Sequence, residues 1–370
     1  KTNYDQFLKQ LNYADDAITK KLGTKNYTKE DVEAIKTEDQ SLLQAIAIVN
    51  YVYSLGKGSV AETKEQINSD LKEINKGLEQ FNTQVNYYLN KSFKGRVTGD
   101  NPDDMSTKFY GNGNIKPVVK DEAHGTHVAG IIAAERNNGL GANGVANNVQ
   151  IMALRALPQG DEYDKDIALA IRYAADNGAQ VINTSFGKAY SPHSDWVRDA
   201  IAYADKKDVL IVNGVGNDAI DIDKKDVFPN DAIGVGPEVS ETFLSVGALN
   251  PKYGTSMVAD YSNYGKINVD VFAPGSQIYS TTPENEYEYF NGTSMAAPGV
   301  AGVAALIRSY YPKLSAAQVK QILMNSGVPI KTKVIVGGNS EDIRPFGSLA
   351  KSSKIVNAYN ALIMASQISN

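Results

Sequence analysis

The run Asn291-Gly292-Thr293-Ser294-Met295-Ala296-Ala297-Pro298 decides how this chain is read, together with His124-Gly125-Thr126-His127-Val128-Ala129-Gly130 far upstream. The first run places a serine at the start of a helix of small residues. Gly292 allows a tight backbone turn, and Met295 to Ala305 is almost wholly apolar, so the spacing predicts a buried helix. A buried helix has no structural need for a hydroxyl in its first turn. It does offer unpaired N–H groups and a positive dipole end there, which suit a developing oxyanion. The second run has the same layout: His124 opens a helix whose Val128, Ile131 and Ile132 face a core. Together the runs supply a nucleophile and a base, each at the head of a buried helix. His127 reads as a packed structural histidine and His193 as a surface loop residue.

Three further blocks agree with these two. They are Val181-Ile182-Asn183-Thr184-Ser185-Phe186-Gly187, Val212-Asn213-Gly214-Val215-Gly216-Asn217-Asp218 and Phe272-Ala273-Pro274-Gly275. In this order, over about Asp121 to Asn325, the five blocks resemble the signatures of subtilisin-like serine proteases, the subtilases. Val215 departs from the more usual Ala-Ala-Gly-Asn form. The resemblance implies a doubly wound, mostly parallel α/β sheet and a serine endopeptidase acting on peptide or protein substrates. It implies Ser294 as nucleophile, His124 as base and Asn217 as oxyanion donor. Ser185, Phe186, Gly187, Gly214, Val215 and Gly216 would line the substrate cleft. A secreted, periplasmic or cell-surface location follows from the same resemblance.

One part of the expected triad is missing. The family's aspartate ends an apolar strand as Asp-Ser-Gly or Asp-Thr-Gly, and residues 1 to 123 contain no such strand. Asp100 lies in a polar turn containing Pro102, and Asp121 reads as a solvated loop residue. The aspartate strand is therefore expected upstream of Lys1, on an N-terminal segment or fragment that partners this chain. The polar start Lys1-Thr2-Asn3-Tyr4-Asp5 lacks an initiator methionine and reads as a cut or processed end. The alternative reading is a catalytically inactive, subtilase-like peptide-binding protein. A lipase or esterase is disfavoured, because Ser294 is not in Gly-x-Ser-x-Gly and the histidine precedes the serine.

No cofactor is required by this chemistry. Asn137 to Ala146 resembles a loop that binds calcium in some subtilases, with Asn138 giving a side-chain oxygen and Leu140 and Ala142 giving carbonyls. A plain glycine-rich turn is the competing reading, since calcium wants six to eight oxygens and the family's carboxylate ligand would come from the upstream part.

Composition narrows the class. The 370 residues carry a net charge of −5 and no cysteine, which excludes disulfides and thiol catalysis. No Lys/Arg cluster stands out, so nucleic acid is not an expected partner. No apolar stretch approaches the roughly 18 to 20 residues of a membrane span.

Residues 1–95 read as an all-α insertion or appendage, and 96–370 as the peptidase domain without its aspartate strand. In the first part Tyr4, Leu8, Leu11, Ile18 and Leu22 share a helix face that Gly23 ends. A second helical region starts near Thr28 and runs in pieces to Gly56. A third opens with Ser59 and Glu62 as a capping box and continues with Ile67, Leu71, Ile74, Leu78, Phe81, Val85 and Leu89. Some subtilases, notably from Bacteroidetes, carry helical insertions at this place, and this segment resembles one. In the second part strands are expected at Val149–Leu157, Gln180–Thr184, Val209–Val215, Phe243–Ala248 and Val269–Phe272. They alternate with helices such as 164–177 and 195–205, which predicts a parallel sheet covered on both faces.

Overall fold

A computed structural model describes the chain except Lys57, Lys94, residues 117–121, Gln159 and Asn370. It divides into two compact units, Lys1–Phe93 and Lys94–Asn370. The expectation for Asp121 lies outside the described residues.

The first unit is helical: α1 (Thr2–Leu22), α2 (Lys29–Glu33), α3 (Gln40–Ser54) and α4 (Val60–Thr83), the last running into a π-helical turn at Gln84–Tyr88. Its ends are set by local chemistry. Gly23 closes α1 with a left-handed φ of 75°. Thr28 and Asp31 form a reciprocal capping box at α2. The Ser59 N–H donates to Glu62 Oε2 at 2.7 Å, and the Glu62 N–H returns to Ser59 Oγ. Leu11, Ile18, Val32, Val49, Val52, Ile67 and Leu71 close its core.

The second unit opens with an irregular segment whose Arg96 grips Asp100 and Asp166, each at 2.8 Å. It then holds α5 (His124–Ala133), α6 (Asp164–Asp176), β1 (Val181–Thr184), α7 (Ser194–Lys206), β2 (Leu210–Gly214), β3 (Phe243–Leu249) and β4 (Val271–Pro274). A hairpin follows, β5 (Ile278–Thr282) and β6 (Glu286–Phe290), and then α8 (Thr293–Tyr310) and α9 (Ala316–Ser326). The chain ends with β7 (Val328–Pro329), a second hairpin of β8 (Lys333–Val336) and β9 (Asn339–Pro345), β10 (Lys354–Ile355) and α10 (Ala358–Ile368).

The main sheet has the order β1-β2-β3-β4-β10-β7. It is parallel throughout except at β10–β7. Strand alternation assigns its two faces. Leu210, Val212, Leu244 and Val246 pack with α8, α9 and α10, whereas Val209, Ile211 and Phe243 pack with α6 and α7. Both faces are therefore covered, as a doubly wound sheet requires.

One predicted strand is absent. Residues 149–158 form no ladder, and Ile151, Met152 and Leu154 stand exposed, Ile151 at 48%. A strand exists only if a neighbour takes its hydrogen bonds. Among the described residues β1 is an edge of the sheet, paired on its β2 side alone, and none of them offers this apolar run a ladder partner. Lys354 and Ile355 are drawn into the sheet as β10, and the final helix starts at Ala358.

Candidate active site

Helix α8 lies across β1 to β4 with its N-terminus at their carboxyl ends, where open α/β sheets place their sites. Gly292 makes the entry possible. Its φ of 151° and ψ of 159° lie in a region that residues with a Cβ avoid at a cost of about 1–3 kcal/mol. The turn is pinned from three sides. The Gly292 N–H reaches Gly275 O at 2.9 Å and Tyr261 Oη at 3.0 Å, and Asn291 Oδ1 accepts the Gln277 N–H at 2.7 Å.

Asn217 supplies the remote cap of α8. Its Oδ1 accepts the Thr293 N–H at 2.9 Å and the Thr293 hydroxyl at 3.1 Å. Two donors on one oxygen fix the amide's orientation, so Nδ2 is left to face outward. That nitrogen lies 3.6 Å from where a Cβ on Gly292 would sit, and the Ser294 backbone nitrogen lies 3.5 Å from the same point. The Ser294 N–H is in the first helical turn, which has no intrahelical acceptors. Two donors thus converge beside the serine, the arrangement that stabilises an oxyanion.

Asn263 holds the loop that carries Asn217, and sequence reasoning missed it. This side chain is fully buried. Its Oδ1 accepts the Asp218 and Ile220 N–H groups, both at 3.0 Å, and its Nδ2 donates to Val215 O at 2.8 Å. Thr293 was also missed as a functional residue. Its hydroxyl accepts the Gly216 N–H at 3.1 Å while donating to Asn217. Both are ordinary polar residues in sequence, and only their non-local partners reveal them.

Ser294 is half-buried, and its hydroxyl donates to Ser185 O at 3.2 Å. Ser185 Oγ donates in turn to Ser294 O at 2.8 Å, so the end of β1 is tied to the head of α8. Beyond it Phe186 is half-buried and Gly187 exposed. On the other side Gly214 is buried, Gly216 is half-buried, and the Val215 side chain points into a core with Ile222 and Leu249. The 214–216 segment meets the site with backbone, and Ser185 meets it with both its carbonyl and its hydroxyl.

His124 opens α5, which packs on α8 through Val128, Ile131 and Met295. The hairpin clamps this helix. Ser280 Oγ donates to His127 O at 2.8 Å and Thr281 Oγ1 to Thr126 O at 3.0 Å. His127 is buried, its ring stacked on Phe290 with centroids 4.2 Å apart, in keeping with a structural role. His124 keeps one side open to solvent while protein crowds the other. Desolvation, then the neighbouring His127, hold its pKa below the usual imidazole value. Among the described residues no hydrogen bond or ion pair joins it to a carboxylate. Asp100 is committed elsewhere, buried against Arg96 and the fully buried Lys165. His193 lies off the site, stacked on Trp196.

In the loop considered for calcium, Asn138 Oδ1 accepts the Leu140 N–H at 2.9 Å. No cluster of three or more metal-ligating His, Asp or Glu residues occurs among the described residues. The loop's own donors, Asn138, Leu140 and Ala142, are fewer than the six to eight oxygens of a calcium shell.

These parts make a doubly wound α/β protein with a serine, a histidine and a two-donor pocket at the heads of buried helices. The chain belongs to the subtilase family, whose sequence model matches residues 26–348. It is 38% identical over 255 residues to the cell wall-associated protease of Bacillus subtilis (strain 168), covering 69% of this chain and 26% of that protein. It is 44% identical over 187 residues to the thermophilic serine proteinase of Bacillus sp. (strain AK1), covering 50% and 42%. The chain thus spans less than half the length of these two relatives. A solved protease from Pseudoalteromonas arctica PAMC 21717 superposes with a TM-score of 0.52 at 32% identity, covering 65% of this chain and 70% of that one.

Proposed function

We propose that the whole protein is a serine endopeptidase in which Ser294 Oγ attacks a peptide carbonyl. His124 takes the serine's proton and gives it to the leaving amine, while Asn217 Nδ2 and the Ser294 N–H hold the oxyanion. The observation that carries this reading is the double clasp of Thr293 on Asn217 Oδ1, which turns a donor toward the serine. Substrate backbone would pair with the 185–187 and 214–216 segments as an added strand.

The catalytic carboxylate would arrive on a strand from outside these residues. The open edge of β1 and the unpaired apolar run at 149–157 support that placement. The carboxylate would orient the imidazole and stabilise its charged form. The same incoming segment would supply the carboxylate that calcium at Asn138, Leu140 and Ala142 needs. No helix among the described residues is long and apolar enough to cross a membrane. A secreted or cell-surface location belongs to the same proposal, on the strength of the family and of the cell wall-associated relative.

One observation favours the rival, a non-catalytic peptide binder: the Ser294 hydroxyl is spent on Ser185 O. A fluorophosphonate probe separates the two. The full-length protein should be labelled and Ser294→Ala should not; labelling that persists in the variant rules out the assignment. Absence of labelling in the full-length protein, with peptide binding intact, would establish the rival.

A further inference from the structure

We propose that Asn183 is a positioning residue for Ser294, acting through the Ser185 hydroxyl to replace a hydrogen bond that Pro298 removes from α8. This role rests on the protease reading above and names a residue which that reading does not use. Helix α8 carries Pro298 inside it. Ser294 lies four residues before the proline, so the N–H that would close the helical bond on Ser294 O does not exist. The ring of a proline also crowds the carbonyl four residues back and turns it off the helix axis. The nucleophile's own carbonyl is left to find a partner outside the helix.

Ser185 is that partner, its Oγ donating to Ser294 O at 2.8 Å. Asn183 Nδ2 donates to the same Ser185 Oγ at 2.9 Å. A serine hydroxyl has one proton and two lone pairs. The amide N–H occupies a lone pair and leaves the proton for Ser294 O. Turned over, the amide would present an oxygen there, and one proton would face two acceptors. Asn183 Oδ1 is buried with no hydrogen-bond partner among the described residues, so the bond to Ser185 is the one that holds this amide.

Strand alternation puts Asn183 where this chain needs it. Val181 packs in the core built around α8, and Ile182 in the core of α6 and α7. Asn183 therefore returns to the α8 side. Holding Ser294 O fixes the peptide that follows the nucleophile, and with it the direction of the serine Cα–Cβ bond. The Ser294 hydroxyl has to leave Ser185 O before it can meet His124 and a substrate. The chain from Asn183 through Ser185 Oγ to Ser294 O does not use that hydroxyl and stays closed while it turns. Its loss should therefore appear in kcat rather than in KM.

The test measures kcat and KM of the full-length protein on a small chromogenic peptide, its rate of labelling by a fluorophosphonate, and its thermal melt. Asn183→Ala should lower kcat and the labelling rate roughly 2- to 12-fold, the factor for one net hydrogen bond, with KM within about twofold of the parent. Asn183→Leu fills the space without a donor and also removes the unpaired acceptor. It should lose as much activity while melting near the parent, which keeps the test intact if the alanine variant does not fold. Ser185→Ala with Asn183→Leu should lose no more than about twofold beyond Ser185→Ala alone, because both break one chain. Pro298→Ala restores an N–H for Ser294 O. In that background Asn183→Leu should change kcat and labelling by less than about twofold. Parent-like kcat in Asn183→Leu overturns the proposal. So do losses that multiply in the Ser185 pair, or an Asn183→Leu cost as large after Pro298→Ala as before it. A parent protein that neither cleaves the peptide nor takes up the probe defeats the protease reading on which this role depends. An active parent indifferent to Asn183 defeats this inference alone.

Discussion

Replacing Thr293 by valine removes one hydroxyl and leaves the shape of the site unchanged. In the parent that hydroxyl donates to Asn217 Oδ1 and accepts the Gly216 N–H, both at 3.1 Å, while the Thr293 N–H independently holds Asn217 at 2.9 Å. Valine keeps the backbone bond and loses the other two. A net hydrogen bond contributes about 0.5–1.5 kcal/mol. If the Asn217 bond serves to aim Nδ2, its loss appears as a kcat lowered roughly 2- to 12-fold with KM nearly unchanged. The upper bound is loss of the oxyanion donor altogether, about 2.7–4 kcal/mol, a magnitude that comes from subtilisin itself. The half-buried Gly216 N–H is left without its acceptor, which lowers stability by about 1–3 kcal/mol. Steady-state hydrolysis of a small chromogenic peptide by the full-length protein, with a thermal melt, separates the two effects. Thr293→Ser restores the hydroxyl and should recover kcat. Wild-type kcat in the valine variant, or a serine variant as impaired as the valine one, would refute the clasp as the device that orients Asn217.

Two pH effects follow. His124 has its pKa held below the ordinary imidazole value by desolvation and by His127. The unfolded chain therefore binds the proton first as pH falls, so stability rises with pH up to the unfolded value and is lost on acidification below it. NMR titration of the imidazole should give a midpoint below 6.5 in this chain and a higher one once a carboxylate strand pairs with it; an unmoved midpoint would exclude that pairing. Asp231 is pushed up from 3.8 to about 7, by burial and then by the Glu238 carboxylate, with Lys320, Asp270 and Lys351 facing the same group. Its folded value lies above its unfolded one, so its contribution falls as pH rises from about 4 to about 7 and is constant above that. Asp231→Asn should melt higher than the parent near pH 8 by an amount worth at most roughly 4 kcal/mol, with a flatter profile between pH 4 and 7. Parallel profiles for the two proteins would show that the group is not strained.

Much of this molecule could be read from local pattern. The capping pairs Thr28–Asp31 and Ser59–Glu62 and the left-handed Gly23 are decided within a turn of chain, and each appears as a helix end. The apolar runs around Leu210 and Phe243 each bury on both faces, so they could only be interior parallel strands. The Ser294 and His124 blocks announced helix heads because a hydroxyl and an imidazole sit where apolar helices begin. The hairpins β5–β6 and β8–β9 were not anticipated, since Tyr-Glu-Tyr-Phe and Lys-Val-Ile-Val name no partner by themselves.

What the sequence alone determined, then, was the kind of element each segment forms and which side chains carry chemistry, because those depend on neighbours a few residues away. Only the tertiary structure decided what pairs with what. It left the apolar run at 149–157 unladdered, because a strand needs hydrogen bonds that another chain segment must supply. It also gave Asn263 and Thr293 their roles. An amide and a hydroxyl can aim Asn217 only once residues 46 and 76 positions further along the chain close around it, and no periodicity encodes contacts at that separation.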